Sequence, residues 1–156
     1  MLKTELVVPS DLRFLAVVEH WLLESLQLEI AQEIDWQTVE NRLRLVVVEV
    51  YSNIVRHAHN AKPELPVLIR IELEKNNLSL EIWDQGVGFK LDDYAAPAPN
   101  DFQEGGYGWL ILHRIMDRVE YRLRVGGDGE AFQGNRNCLK LEKDLTLSSQ
   151  SKQGIG

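Results

Sequence analysis

Apolar and polar residues alternate along this chain with two different periods, and each change of period marks a new element. Over residues 10–32 the apolar positions Leu12, Leu15, Val18, Leu22 and Leu26 recur at steps of three or four, which gathers side chains on one face of a helix. Ser10 offers a hydroxyl as its N-cap. A second helix is expected over residues 36–59, capped by Asp35, with Val39, Leu43, Val46, Val47, Val50 and Ile54 as its buried stripe. Its β-branched content suits a strand, but length and period require a helix.

The period then drops to two. Val67, Ile69, Ile71 and Leu73 share one side of a strand, with Arg70, Glu72 and Glu74 on the other. After a turn at Lys75-Asn76-Asn77, Leu78, Leu80 and Ile82 alternate with Ser79, Glu81 and Trp83. This is an antiparallel hairpin with one covered face. Residues 5–8, stopped by Pro9, read as an edge strand. Residues 89–103, with Pro97 and Pro99, read as a long loop of the kind that is usually functional. A third helix is expected over residues 107–119, then strands over 121–125 and 138–142 joined through Gly126-Gly127-Asp128-Gly129. Together these predict an α/β (α+β) two-layer sandwich, three helices on one face of a mixed, mostly antiparallel sheet. One domain is expected over residues 1–145, followed by a polar, disordered tail over 146–156.

Composition narrows the function. With 44% hydrophobic and 26% charged residues the chain has an ordinary globular balance. The single Cys138 excludes an internal disulfide. A net charge of −7 argues against direct nucleic-acid binding or an anionic membrane surface. No apolar run approaches the ~20 residues of a membrane helix, and residues 1–5 lack the layout of a secretory signal. A cytoplasmic protein is expected. Acidity does not exclude a phosphate ligand, which backbone N–H groups, a helix N-terminus and Mg²⁺ can receive.

Three constellations carry candidate chemistry. On the second helix, Glu49 and Asn53 lie four apart and therefore about 40° apart in projection, with His57-Ala58 one turn on. Read plainly they are the solvated edge of an amphipathic helix; read chemically, Asn53 supplies an oxygen ligand for Mg²⁺ and Glu49 a general base. Asp84 in Asp84-Gln85-Gly86-Val87-Gly88 continues the buried parity of Leu78, Leu80 and Ile82. It is either a turn acid or an acceptor for an exocyclic amine such as adenine N6, with Gly86 and Gly88 admitting close backbone approach. Gly105-Gly106-Tyr107-Gly108-Trp109-Leu110 opens the third helix. Glycines are common at such junctions, and they also present the free N–H groups that phosphates use. No Gly-Lys-Ser/Thr follows, so this is not a P-loop.

In order, spacing and placement the three resemble the N, G1 and G2 boxes of the GHKL superfamily, the nucleotide fold shared by gyrase, histidine kinases and MutL. Glu49, Asn53 and His57-Ala58, with three residues between successive members, look like the N box of the anti-sigma factor serine kinases. The runs Glu104-Gly105-Gly106-Tyr107-Gly108-Trp109-Leu110-Ile111-Leu112 and Met116-Asp117-Arg118-Val119-Glu120 look like that family too. The resemblance covers residues 5–143. It implies the Bergerat ATP-binding fold with ATP and Mg²⁺ as cofactors. It makes Asn53 the metal ligand, Glu49 the base toward a protein serine, and Asp84 with Gly86 and Gly88 the adenine pocket. Residues 89–103 become the ATP lid, and Gly105, Gly106 and Gly108 the phosphate cradle.

The implied protein is an ATP-dependent protein serine/threonine kinase in a partner switch. It would bind a sigma factor in one state and phosphorylate a STAS-type anti-anti-sigma protein in another, as a homodimer. The alternative is a nucleotide-binding anti-sigma module with little kinase activity. The catalytic half of a histidine kinase is disfavoured, because no helical phosphoacceptor domain fits before residue 5 or after residue 143, and because the N box carries Glu.

There are departures from the family pattern. Val50 and Ile54 stand where many relatives carry Ala. The late Gly-Thr motif is Gly134-Asn135, which makes Asn135 a candidate pocket residue. The lid holds Lys90 and no Arg before the glycines, which leaves Arg56 or Arg114 to meet a γ-phosphate. His57 reads as structural, and His20, His59 and His113 lack zinc-ligand spacing. Trp21, Trp36, Trp83 and Trp109 read as core or interface anchors. Trp83, opposite in parity to Ile82, belongs on the uncovered sheet face as a partner or dimer contact.

Overall fold

The computed structural model describes residues 1–58, 62–86, 108–125 and 136–147. Among them the chain runs through β1 (Leu2–Pro9), α1 (Leu15–Gln27), α2 (Trp36–Asn53), β2 (Pro66–Glu74), β3 (Asn77–Asp84), α3 (Gly108–Ile115), β4 (Arg118–Val125) and β5 (Arg136–Asp144). The strands form one sheet in the order β1-β2-β3-β5-β4, and every neighbouring pair is antiparallel. This is the limiting case of the mostly antiparallel sheet expected, and β3 is its central strand.

Alternation decides which face is covered. Val67, Ile69, Ile71 and Leu73 of β2, Leu78, Leu80 and Ile82 of β3, and Leu139 and Leu141 of β5 are all buried in one core with the α1 and α2 stripes. Val18, Leu22 and Leu26 come from α1, and Val39, Leu43, Val46, Val47 and Val50 from α2, with Ile54 just beyond it. Each fully buried Leu, Ile or Val side chain contributes about 1.5–3 kcal/mol relative to exposure, so the two-layer packing is the main stabilising term. α3 adds Leu112 and Ile115.

Helix starts follow side-chain caps. Asp35 caps α2 as expected: its carboxylate accepts from the Thr38 N–H and, at 2.6 Å, from the Thr38 hydroxyl. At α1 the expectation needs correction. The capping side chain is Asp11, which accepts from the Arg13 N–H at 2.9 Å and opens a short 3-10 turn, Leu12–Phe14, before α1 begins at Leu15. Ser10 instead uses its N–H to reach the Leu65 carbonyl at 3.0 Å, tying the ends of β1 and β2. Leu12 is consequently 39% exposed and outside the stripe. α1 also stops at Gln27, because the Glu29 and Ile30 N–H groups both turn back to the Leu26 carbonyl.

Two other boundaries move. α2 ends at Asn53 and continues as a π turn, Ile54–Ala58, while His59 lies outside the described residues. α3 ends at Ile115, and Val119 belongs to β4, because the Asp117 N–H pairs with Glu142 and starts the β4–β5 ladder. The β2–β3 turn is tight, Glu74 pairing with Asn77, and Lys75 takes a φ of 56° to close it. The last described segment, Leu145–Leu147, is a 3-10 turn anchored by buried Leu145; the rest of the expected tail lies outside the described residues.

One side chain links the layers near Glu49 and Asn53. The Tyr51 hydroxyl lies 2.6 Å from the Pro9 carbonyl and 2.8 Å from that of Asp11, and accepts from the Asp11 N–H at 3.2 Å. The ring is fully buried, so these bonds fasten the β1–α1 connection to the last turn of α2.

Candidate functional site

Glu49 and Asn53 share a face of α2. Asn53 is buried and closes the α-helical part of the element, while Glu49, one turn earlier, is half-buried. Below them Val46, Val47 and Val50 face Ile69, Leu80 and Ile82 of the sheet across a small, wholly apolar gap that belongs to the core. Val50 and Ile54, the departures from Ala, are both buried there and fill space. The π turn that follows Asn53 carries Arg56 and His57; such turns are frequent where a helix bears functional side chains.

Asp84 is the last residue of β3 and only 1% exposed. Its Oδ1 accepts from the Gly86 N–H at 2.9 Å, closing a tight turn, and from Asn137 Nδ2 at 2.8 Å. The same Asn137 amide donates to the Gly86 carbonyl at 3.0 Å. Burial pushes the Asp84 carboxyl above the usual carboxylate range, and the bonds from Asn137 and Gly86 pull it part of the way back. Asp84 is thus a turn acid in geometry and a desolvated acceptor in chemistry. Among the described residues the donors to Asp84 converge on Oδ1, which leaves Oδ2 able to accept from an N–H group.

Asn137 is the site residue that sequence reasoning missed. It is wholly buried and stands directly opposite Asp84 in the β3–β5 ladder. The signal was the alternation of Asn137, Leu139 and Leu141 against Cys138 and Lys140, but it becomes specific only once the register is known. Asn135, Gly88, Gly105 and Gly106 lie outside the described residues, as do the lid with Lys90, and Gly134. Gly108 is the first residue of α3. Arg56 and Arg114 are both exposed. Among the described residues no group of three or more His, Cys, Asp and Glu side chains could hold a metal ion. No helix among the described residues is long and apolar enough to cross a membrane.

The fold is a two-layer sandwich with a buried, clamped acid at the end of its central strand and a carboxylate–amide pair on a helix of the other layer. The chain matches the family described as histidine kinase-like ATPase domain over residues 8–139, and it belongs to that family. It is also 34% identical over 82 residues to the anti-sigma F factor of Bacillus cytotoxicus, covering 50% of this chain and 56% of that protein. The anti-sigma F factors of Bacillus thuringiensis and Bacillus mycoides are 32% identical over 82 residues with the same shares. The chain thus spans little more than half the length of these curated relatives.

Proposed function

We propose that this chain binds ATP with Mg²⁺ and acts in the cytoplasm as a partner-switching regulator. In this reading it is an anti-sigma factor that holds a sigma factor, phosphorylates a serine of a STAS-type antagonist, and works as a homodimer. The observation that carries the nucleotide reading is Asp84, a buried carboxylate held toward the helix layer by Asn137 and Gly86. Family membership supports it, and the names of the relatives support the partner switch.

The residues divide the work. Asp84 Oδ2 would accept from the exocyclic amine of adenine, and Asn137 would hold the carboxyl in place. The backbone N–H groups of Gly105, Gly106 and Gly108 would meet the phosphates. Asn53 would hold Mg²⁺, which when bound neutralises phosphate charge and orients the terminal phosphoryl group. Glu49, half-buried one turn away, would accept the proton of the incoming serine hydroxyl.

Calorimetric titration of ATP with and without Mg²⁺ tests the first step. Mg²⁺-dependent binding by the native chain, absent in Asp84→Asn, is expected; equal binding by that variant would remove Asp84 from the pocket. Glu49→Gln tests the second. It should bind ATP normally and lose phosphorylation of the antagonist, whereas binding without phosphorylation in the native chain would establish the anti-sigma module with little kinase activity.

A further inference from the structure

α1 and α2 pack side by side in opposite directions, and the surface between them is hollowed into a groove of about 310 Å³. On α1 its border steps by three or four residues through Ala16, Glu19, Leu23 and Gln27, which makes one continuous helix face. On α2 the border is Trp36, Glu40 and Arg44, again four apart. The rise from Ala16 to Gln27 makes the groove roughly 16 Å long.

Its floor is apolar and its walls are acidic. Leu23 is buried, and Trp36 is half-buried, its accessible part lining the groove. Above them stand three carboxylates, Glu19, Glu24 and Glu40, against one guanidinium, Arg44. Arg44 crosses from α2 to α1, 2.8 Å from Glu40 and 3.1 Å from Glu19, and so closes one end. Towards the other end the Glu24 side chain is 63% exposed, 3.8 Å from the equally open His20. Leu28, next after Gln27 at that end, is 82% exposed. An outer helix face that meets water alone is polar throughout; here an indole and a leucine lie beneath the charges.

We infer that this groove docks a basic helix of a partner protein, one that carries arginine or lysine at steps of three or four along one face. Charge selects the occupant. Acidic walls on a chain of net charge −7 attract a basic segment before contact and repel an acidic one. An aromatic ring beside carboxylates also suits a cation chemically, because the ring face attracts it and the carboxylates accept its hydrogen bonds. Glu24 takes the charged head and Trp36 the methylene stem behind it. Shape selects the form. A groove roughly 16 Å long takes about three turns of helix, laid in so that its anchors recur at helical spacing. Along α2, Trp36 lies roughly 25 Å from Asn53, so the site is separate from the nucleotide reading and does not rest on it.

Nuclear magnetic resonance of the isotope-labelled full chain tests this with three probes. They are an alanine-based helical peptide with arginines four residues apart, the same peptide with glutamates, and spermidine as a small polycation. The arginine peptide should shift the Trp36 indole and Glu24 backbone signals saturably. The glutamate peptide should leave them in place, and spermidine should bind more weakly by about tenfold or more. Glu24→Lys and Trp36→Leu should each weaken the arginine peptide by about tenfold or more. Glu29→Lys, which reverses an exposed acid outside the groove, should leave its affinity unchanged. Circular dichroism checks that each variant is folded. An arginine peptide that shifts nothing, or that binds Glu24→Lys as well as the native chain, would overturn the site. Equal affinity for spermidine would overturn the protein partner and make the groove a site for free polycations. Groove signals that move with protein concentration alone would overturn it too, giving the groove to a second copy. The ATP titration is independent of all these outcomes.

Discussion

Asn137 Nδ2 donates to Asp84 Oδ1 at 2.8 Å and to the Gly86 carbonyl at 3.0 Å, so one amide fixes both the acid and the turn behind it. The two residues are 53 apart in the chain and adjacent in the sheet. The clamp holds a carboxyl where desolvation disfavours its charge.

Asp84→Asn should separate folding from binding. The folded-state pKa of Asp84 is raised, so its contribution to stability is greatest below the usual carboxylate range and declines as pH rises through the folded value. A neutral isostere, still able to accept from Gly86 and Asn137, removes that decline. Thermal melts of the ligand-free protein at neutral pH should show Asp84→Asn equal to or a few degrees above the native chain, and flatter with pH. ATP binding should be lost. A melting point well below native would mean that the charge stabilises the fold.

Asn137→Ala should cost both. It strips two hydrogen bonds from a buried site, worth about 1–3 kcal/mol, or roughly 2–4 °C in melting temperature for each kcal/mol at this chain length. Asp84 loses a donor to its charged form, so ATP affinity should fall as well. Native affinity with a lowered melting point would confine Asn137 to a structural role.

Tyr51→Phe tests the layer link. The ring remains and the hydroxyl bonds to Pro9 and Asp11 go, leaving part-buried backbone groups without that partner at about 1 kcal/mol. Hydrogen exchange at the β1–α1 connection should accelerate more than in β3. Uniform acceleration across the sheet would show that the bond stabilises the fold as a whole instead of this junction.

Lys143 and Asp117 should respond unequally. Lys143 Nζ lies 3.2 Å from Asp117, but the lysine side chain is 3% exposed and the aspartate 41%. Asp117→Ala strands a buried ammonium and should cost about 1–3 kcal/mol. Lys143→Met leaves a carboxylate that water and the Asp144 N–H still satisfy, and should be near neutral. Equal melting points for the two variants would refute this asymmetry.

Local patterns carried the elements and much of the site. The three-to-four and two-residue periods gave α2 with its Asp35 cap, the β2–β3 hairpin, and the inward parity of Asp84. The Glu49–Asn53 pairing follows from helix geometry alone. These features depend on residues within one turn or one strand of each other, so a reader of the sequence has all the information they need.

Tertiary structure decided the rest, because pairing register and packing join residues far apart in the chain. Asn137 faces Asp84 only because β5 lies beside β3 with β4 outside it. Ser10 is tied to Leu65 at the end of the sheet while Asp11 takes the cap, and Val119 left the helix once Asp117 met Glu142. The Glu19–Arg44 contact that closes the groove joins α1 to α2 only when both helices lie packed on the sheet.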